Sequence, residues 1–170
     1  MNPDPFSLLL NFIVLDSAFA LQIIVIIVLL VCSAVISGAE VSLFGLSPTD
    51  INEIIEKKTT KGNIVVKLLE RPKKLLATIL IANNTINIGI VLLFSNMGDV
   101  LFANITYIWL GIISVRFLLE VVVITFLILM FGEILPKIYA NRNRKTFSNR
   151  MAYPLRVLDF LLTPLSMPMR

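Results

Sequence analysis

Glu133 is a carboxylate in a place where membrane chemistry would use one. It follows residues 100–132, whose only charges are Arg116 and Glu120, and it opens the string Gly132-Glu133-Ile134-Leu135-Pro136-Lys137. An ionisable group at membrane depth is costly and usually functional. Pro136 has no N–H, so a helix running through it deprives the carbonyl four residues earlier, that of Gly132, of its donor. A carboxylate beside a freed backbone oxygen is a ligand pair for a hard cation. Two further oxygen-rich groups stand upstream, Ser37-Gly38-Ala39-Glu40 and the trio Asn83, Asn84 and Asn87. On a helix Asn83 and Asn87 share a face, and Asn84 and Asn87 nearly do. The chain has no His and one Cys, Cys32. The common transition-metal ligands and a disulfide are thereby removed, and any metal should be hard and oxygen-bound.

The elements that must position these groups are membrane spans. The 170 residues are 57% hydrophobic with a mean hydropathy of +0.90, where a soluble domain sits near roughly 45–50% apolar. Residues 17–39 and 75–98 carry no charge, and each run exceeds the ~20 residues needed to cross a bilayer core. The first run is too long for a cleaved signal peptide and has no Lys or Arg before it. The expected fold class is an all-α integral membrane protein with three transmembrane helices per subunit, at 19–46, 73–97 and 107–135. A kink is expected at Ser37-Gly38. Short cytoplasmic helices over 47–72 would form a hairpin between spans 1 and 2. Ser47-Pro48-Thr49-Asp50 reads as an N-cap with proline at N1, and Thr59-Thr60-Lys61-Gly62-Asn63 as a turn. Tyr107 and Trp109 suit an outer aromatic belt. Residues 137–170, mixed basic and apolar, read as juxtamembrane amphipathic belt helices held by apolar burial and anionic lipid.

Thirteen of the 15 Lys and Arg residues fall in two blocks: seven from Lys57 to Lys74 and six from Lys137 to Arg156. The positive-inside rule then puts the N-terminal segment 1–18 outside and the C-terminus in the cytoplasm of a cell that holds the protein in its plasma or inner membrane. The net charge of +4 belongs to this pattern, so no nucleic-acid partner is expected. In this topology all three oxygen clusters lie in the inner half of the membrane. Each has a plainer reading. Ser-Gly packs helices closely, Asn glues them together, and Glu133 could simply mark a boundary. Arg116 and Glu120, four residues apart near the outer end of span 3, read as a structural ion pair or subunit contact.

Ser37-Gly38-Ala39-Glu40, Asn83-Asn84-Thr85-Ile86-Asn87 and Gly132-Glu133-Ile134-Leu135-Pro136-Lys137, in this order and spacing, resemble the signature segments of the CNNM/CorC transmembrane domain. The basic double-helix insert agrees. Val41 and Ala82 stand where many relatives have Thr and Gly. Met1-Asn2-Pro3-Asp4-Pro5 is similar to the gliding-motility-associated branch. The resemblance implies a homodimeric magnesium transporter that exports Mg2+, with Na+ as the coupling ion. It also implies a site made of Ser37, one Asn of the trio (Asn87 first, then Asn83), Glu133 and the Gly132 carbonyl. Relatives continue into a nucleotide-binding CBS pair, so the chain is expected to be the membrane part of a longer protein.

Two functions follow as expectations. One is Mg2+ transport by alternating access through an intramembrane oxygen site. The other is a dimeric membrane scaffold, for example in a motility or secretion apparatus, with the polar groups as helix glue. An enzyme is not expected, for no nucleophile–base pairing is present.

Overall fold

The computed structural model describes residues 5–101, 108–109 and 113–163. Helix α1 (Pro5–Phe44) is followed by the short helices α2 (Pro48–Glu56) and α3 (Thr60–Leu69), then by α4 (Pro72–Leu101). A two-residue antiparallel ribbon, β1 (Ile108–Trp109) with β2 (Ile113–Ser114), leads into α5 (Val115–Leu127). A π-helical segment (Ile128–Ile134) joins α5 to α6 (Leu135–Arg142), and α7 (Arg144–Leu161) closes the order. Among the described residues three stretches are long and apolar enough to cross a membrane: Ser17–Phe44, Pro72–Gly98 and Val115–Arg142. The chain is therefore a three-span, all-α membrane protein apart from the small ribbon.

The apolar surface confirms the solvent. Leu21, Ile24, Val28 and Val31 on α1, and Leu80, Ile88 and Leu92 on α4, are all exposed. A run of that size facing outward is tolerated in lipid, not in water. The buried faces form two cores. Near the short helices, Ile36, Ala39 and Leu43 of α1 meet Val65 of α3, Leu75 and Ile79 of α4, and Ala152 and Leu155 of α7. Farther along the bundle, Ile26 meets Ile90, Phe94 and Met97 of α4 with Ile124 and Ile128. Ser33 and Asn83–Asn87 fall between the two cores in sequence, and Ile86 packs on both.

Several local expectations change. Helix α1 runs unbroken through Ser37-Gly38 to Phe44. Gly38 serves packing instead: a Cβ there would lie 2.8 Å from Phe147 Cζ and 3.4 Å from the Ala140 methyl. The helix also begins at Pro5, so most of the N-terminal segment is helical. The predicted turn at 59–63 is the first turn of α3. Thr59 Oγ1 accepts the Gly62 N–H at 3.1 Å, and this cap outweighs the turn preference of Gly62. The chain reverses one step earlier, at Lys58, with φ 47°. The third span starts at Val115, not 107, because the ribbon occupies the chain before it. Tyr107, the opening Met1–Asp4, and the tail with Pro164 and Pro168 lie outside the described residues.

The cap of α2 forms as the sequence specifies. Ser47 Oγ accepts the Asp50 N–H at 3.1 Å, and Asp50 Oδ2 accepts the Ser47 N–H at 3.0 Å, a reciprocal capping box. Helix α7 is fastened at both ends. Arg144 Nη1 donates to the Gly45 carbonyl at 2.6 Å, closing the C-terminus of α1. Lys145 pairs with Asp50 at 2.8 Å and Glu53 at 2.5 Å, tying α7 to α2. At the far end, Asp159 accepts from Lys74 at 2.8 Å and from Thr78 at 3.3 Å.

Candidate functional site

The three spans meet in a polar cluster. On α1, Ser33 is fully buried, and its Oγ lies 2.9 Å from both Asn83 Oδ1 and Asn87 Oδ1 on α4. The same two amides reach the third span: Asn83 Nδ2 is 3.5 Å and Asn87 Nδ2 3.3 Å from Glu133 Oε1. Gly132 closes the ring, for a Cβ there would lie 3.1 Å from Ser33 Oγ. A methyl there would press on Ser33 by a few tenths of an ångström, so glycine eases the approach of span 3. Ser37 is one turn along α1 from Ser33 and so on the same face. It too is fully buried, and its Oγ has no hydrogen-bond partner. Among the described residues Asn149 Oδ1 is the other such atom. A buried hydroxyl without a partner is costly and needs a reason.

Span 3 changes its helix type here. Ile128–Ile134 is π-helical, and the Leu135 N–H bonds to the Met130 carbonyl five residues back. Such wide turns concentrate at functional sites. Pro136 follows directly and donates nothing. Under the five-residue pattern the carbonyl that Pro136 fails to serve is that of Phe131. Where the α pattern resumes, it is that of Gly132. The sequence-based choice of Gly132 assumed a regular helix, and the π turn widens it to either oxygen.

Of the sequence-selected residues, Asn83, Asn87, Gly132 and Glu133 come together, and Ser37 lies buried one helical turn from Ser33. Asn84 is exposed on another face of α4 and takes no part in these contacts. Glu40 also stands apart, 3.3 Å from Lys137. Ser33 was missed. It lies one turn before Ser37 in an apolar run, and that i, i+4 spacing was the available signal.

The chemistry of the cluster follows from its atoms. One Ser33 proton cannot serve two amide oxygens at once, whereas its two lone pairs can accept two N–H groups. Half-turning both amides satisfies Ser33 better. It also aims both Asn oxygens at Glu133, an arrangement that a bound cation would satisfy. Among the described residues no three His, Cys, Asp or Glu side chains gather. A cation here would meet one carboxylate and several neutral oxygens.

The sequence comparisons agree with this architecture. The family model described as "Cyclin M transmembrane N-terminal domain" matches residues 24–170. The chain is 31% identical over 137 residues to the UPF0053 inner membrane protein YfjD of Escherichia coli, covering 81% of this chain and 28% of that protein. It is 32% identical over 142 residues to a UPF0053 protein of Haemophilus influenzae, covering 84% and 31%. To a UPF0053 protein of Synechocystis it is 26% identical over 141 residues, covering 82% and 38%. The chain thus spans about a third of the length of the curated relatives it matches. With the family model covering most of its length and its three spans in place, the chain belongs to the CNNM family as a CNNM transmembrane domain.

Proposed function

We propose that this domain carries Mg2+ across the membrane, outward, by alternating access at the Ser33–Ser37–Asn83–Asn87–Glu133 cluster, with Na+ as the coupling ion. It works as a homodimer with its N-terminus outside. The observation that carries the reading is one buried hydroxyl, Ser33 Oγ, facing two amides that both face one carboxylate oxygen. Octahedral Mg2+ with bonds of about 2.0–2.1 Å has ligand–ligand edges of about 2.9 Å. The amide-to-carboxylate separations of 3.3 and 3.5 Å are a few tenths longer, so a small contraction suffices. Ser37 Oγ supplies a further neutral oxygen. One carboxylate leaves Mg2+ partly uncompensated, which keeps binding reversible, as transport requires.

The hydrogen bonds among these side chains also favour a second reading, in which they are interhelical glue in a membrane scaffold. Proteoliposomes separate the two. With Mg2+ inside and a Na+ gradient imposed, the transporter reading expects Mg2+ flux that falls when the gradient is removed and disappears in Glu133→Gln. A chain that folds and dimerises yet moves no Mg2+ under either condition is a scaffold.

A further inference from the structure

A cavity of about 530 Å³ opens between α3, the start of α4 and α7, and its lining shares no residue with the polar cluster. Its charged lining comprises Lys67, Glu70, Arg71, Lys74, Arg156 and Asp159. Two of these cancel within the fold. Lys74 is buried and donates to Asp159 Oδ2 at 2.8 Å and to Thr163 at 3.0 Å, while Thr78 donates to Asp159 Oδ1 at 3.3 Å. Asp159 therefore has both oxygens engaged and cannot neutralise the rim. What remains is Lys67 of α3, Arg71 of the α3–α4 link and Arg156 of α7 against Glu70, a net charge of +2. Among the described residues none of these three cations forms an ion pair within the fold, whereas Lys57, Lys137 and Lys145 each have a carboxylate within 4 Å. Their alignment around one cavity is more than a solvated basic face.

We propose that this cavity is a binding site for a doubly charged phosphate anion, held by Lys67, Arg71 and Arg156. Arginine suits phosphate because its planar fork donates in pairs. Ile64, Leu68 and Leu75 form the apolar part of the wall. Leu76 and Leu80 on α4 and Phe160 and Leu161 on α7 are exposed on the two helices that flank it. Basic pockets between helices at a membrane surface hold anionic headgroups in this way. A lipid carrying two phosphates fits the charge and the apolar exits, and a soluble phosphomonoester fits the charge alone.

The test uses the purified 170-residue chain in vesicles of phosphatidylcholine, with and without a doubly phosphorylated lipid, and in detergent with inorganic phosphate. The readouts are bound phosphorus and the melting temperature, which rises when the native state binds a ligand. Lys67→Gln/Arg71→Gln/Arg156→Gln should weaken binding about tenfold or more, from the loss of charge-assisted hydrogen bonds. A control with Lys61, Arg142 and Arg150 changed to Gln should stay within about twofold. Saturation by the lipid alone assigns a headgroup site; saturation by inorganic phosphate as well assigns a general phosphate site. Equal weakening in the two triple variants, or no saturable binding of either probe, overturns the proposal. If the first triple variant does not fold, Arg156→Gln alone decides. Residue 156 is exposed on α7, and an unchanged ligand-induced shift in melting temperature there counts against the site.

Discussion

Span 3 carries two glutamates with opposite surroundings. Glu120 is buried, receives the Arg116 Nε–H at 2.8 Å and packs directly against Gly98. Glu133 is half-buried, and among the described residues the side chains that reach it are the two neutral amides of Asn83 and Asn87. A carboxylate with a permanent cation of its own is already compensated and serves the fold. One that faces neutral amides has no such cation of its own among the described residues, which is what the proposed cation site needs. The difference lies in what faces each residue, since the two side chains are chemically identical and share one span.

The largest expected effect breaks this comparison at Glu133. Glu133→Gln keeps the size and removes the only charge in the cluster, so Mg2+ affinity measured by titration calorimetry should fall at least about a hundredfold. Glu120→Gln should leave that affinity within about twofold. Comparable losses in both variants would mean that the two glutamates share one structural role.

Gly98 sharpens the other side. A methyl placed there would fall within the Glu120 carboxylate, so Gly98→Ala must displace the ion pair. Weakening a largely buried pair costs about 3 kcal/mol. In a Glu120→Ala background the same methyl has space, and its cost should nearly vanish. Thermal unfolding of the four members of this double-mutant cycle reads the coupling directly. Simple additivity would show that Gly98 does not sense Glu120.

Much of this architecture is legible in the sequence, because the charge-free runs, the basic blocks and the Ser47 capping box are one-dimensional signals. The Asn pair and Glu133 stand out for a related reason: polar atoms in lipid demand partners. What stayed hidden depended on contact or on hydrogen-bond register. Gly38 looked like a kink and proved to be a seat for Phe147. Ser33 is an ordinary span serine until Gly132 brings span 3 against it. The π turn at 128–134 has no periodic signature strong enough to separate it from an α-helix. Asn84 shows the converse: spacing placed it near Asn87, and only the packing of α4 reveals that it faces outward.

Within the cluster, smaller effects rank the residues. Asn87→Ala removes the shorter of the two amide contacts to Glu133 and should weaken Mg2+ by about 1–2 kcal/mol. Asn83→Ala should cost somewhat less. Ser33→Ala should cost about 1 kcal/mol, because both amides lose the group that orients them. Asn84→Ala should change affinity by less than a factor of about two. Calorimetric affinities for the four variants give the order, and an Asn84 effect as large as that of Asn87 would place the ion elsewhere.

The smallest effect concerns charges in water, where neither form of membrane compensation applies. Lys145 lies between Asp50 and Glu53 at 2.8 and 2.5 Å. Its hydrogen bonds lower both carboxyls from their ordinary 3.8 and 4.5 to about 2. A carboxyl whose pKa is lower in the folded state favours folding fully only above its unfolded pKa. The docking of α2 on α7 should therefore be pH-independent near neutrality and weaken as pH falls from about 4.5 toward about 2. These groups are partly solvated, so the change should be modest. Lys145→Gln should flatten the acid limb of the melting-temperature profile while leaving Mg2+ affinity untouched. That separation is expected because these ion pairs brace α2 against α7, and the polar cluster is built from α1, α4 and the π turn.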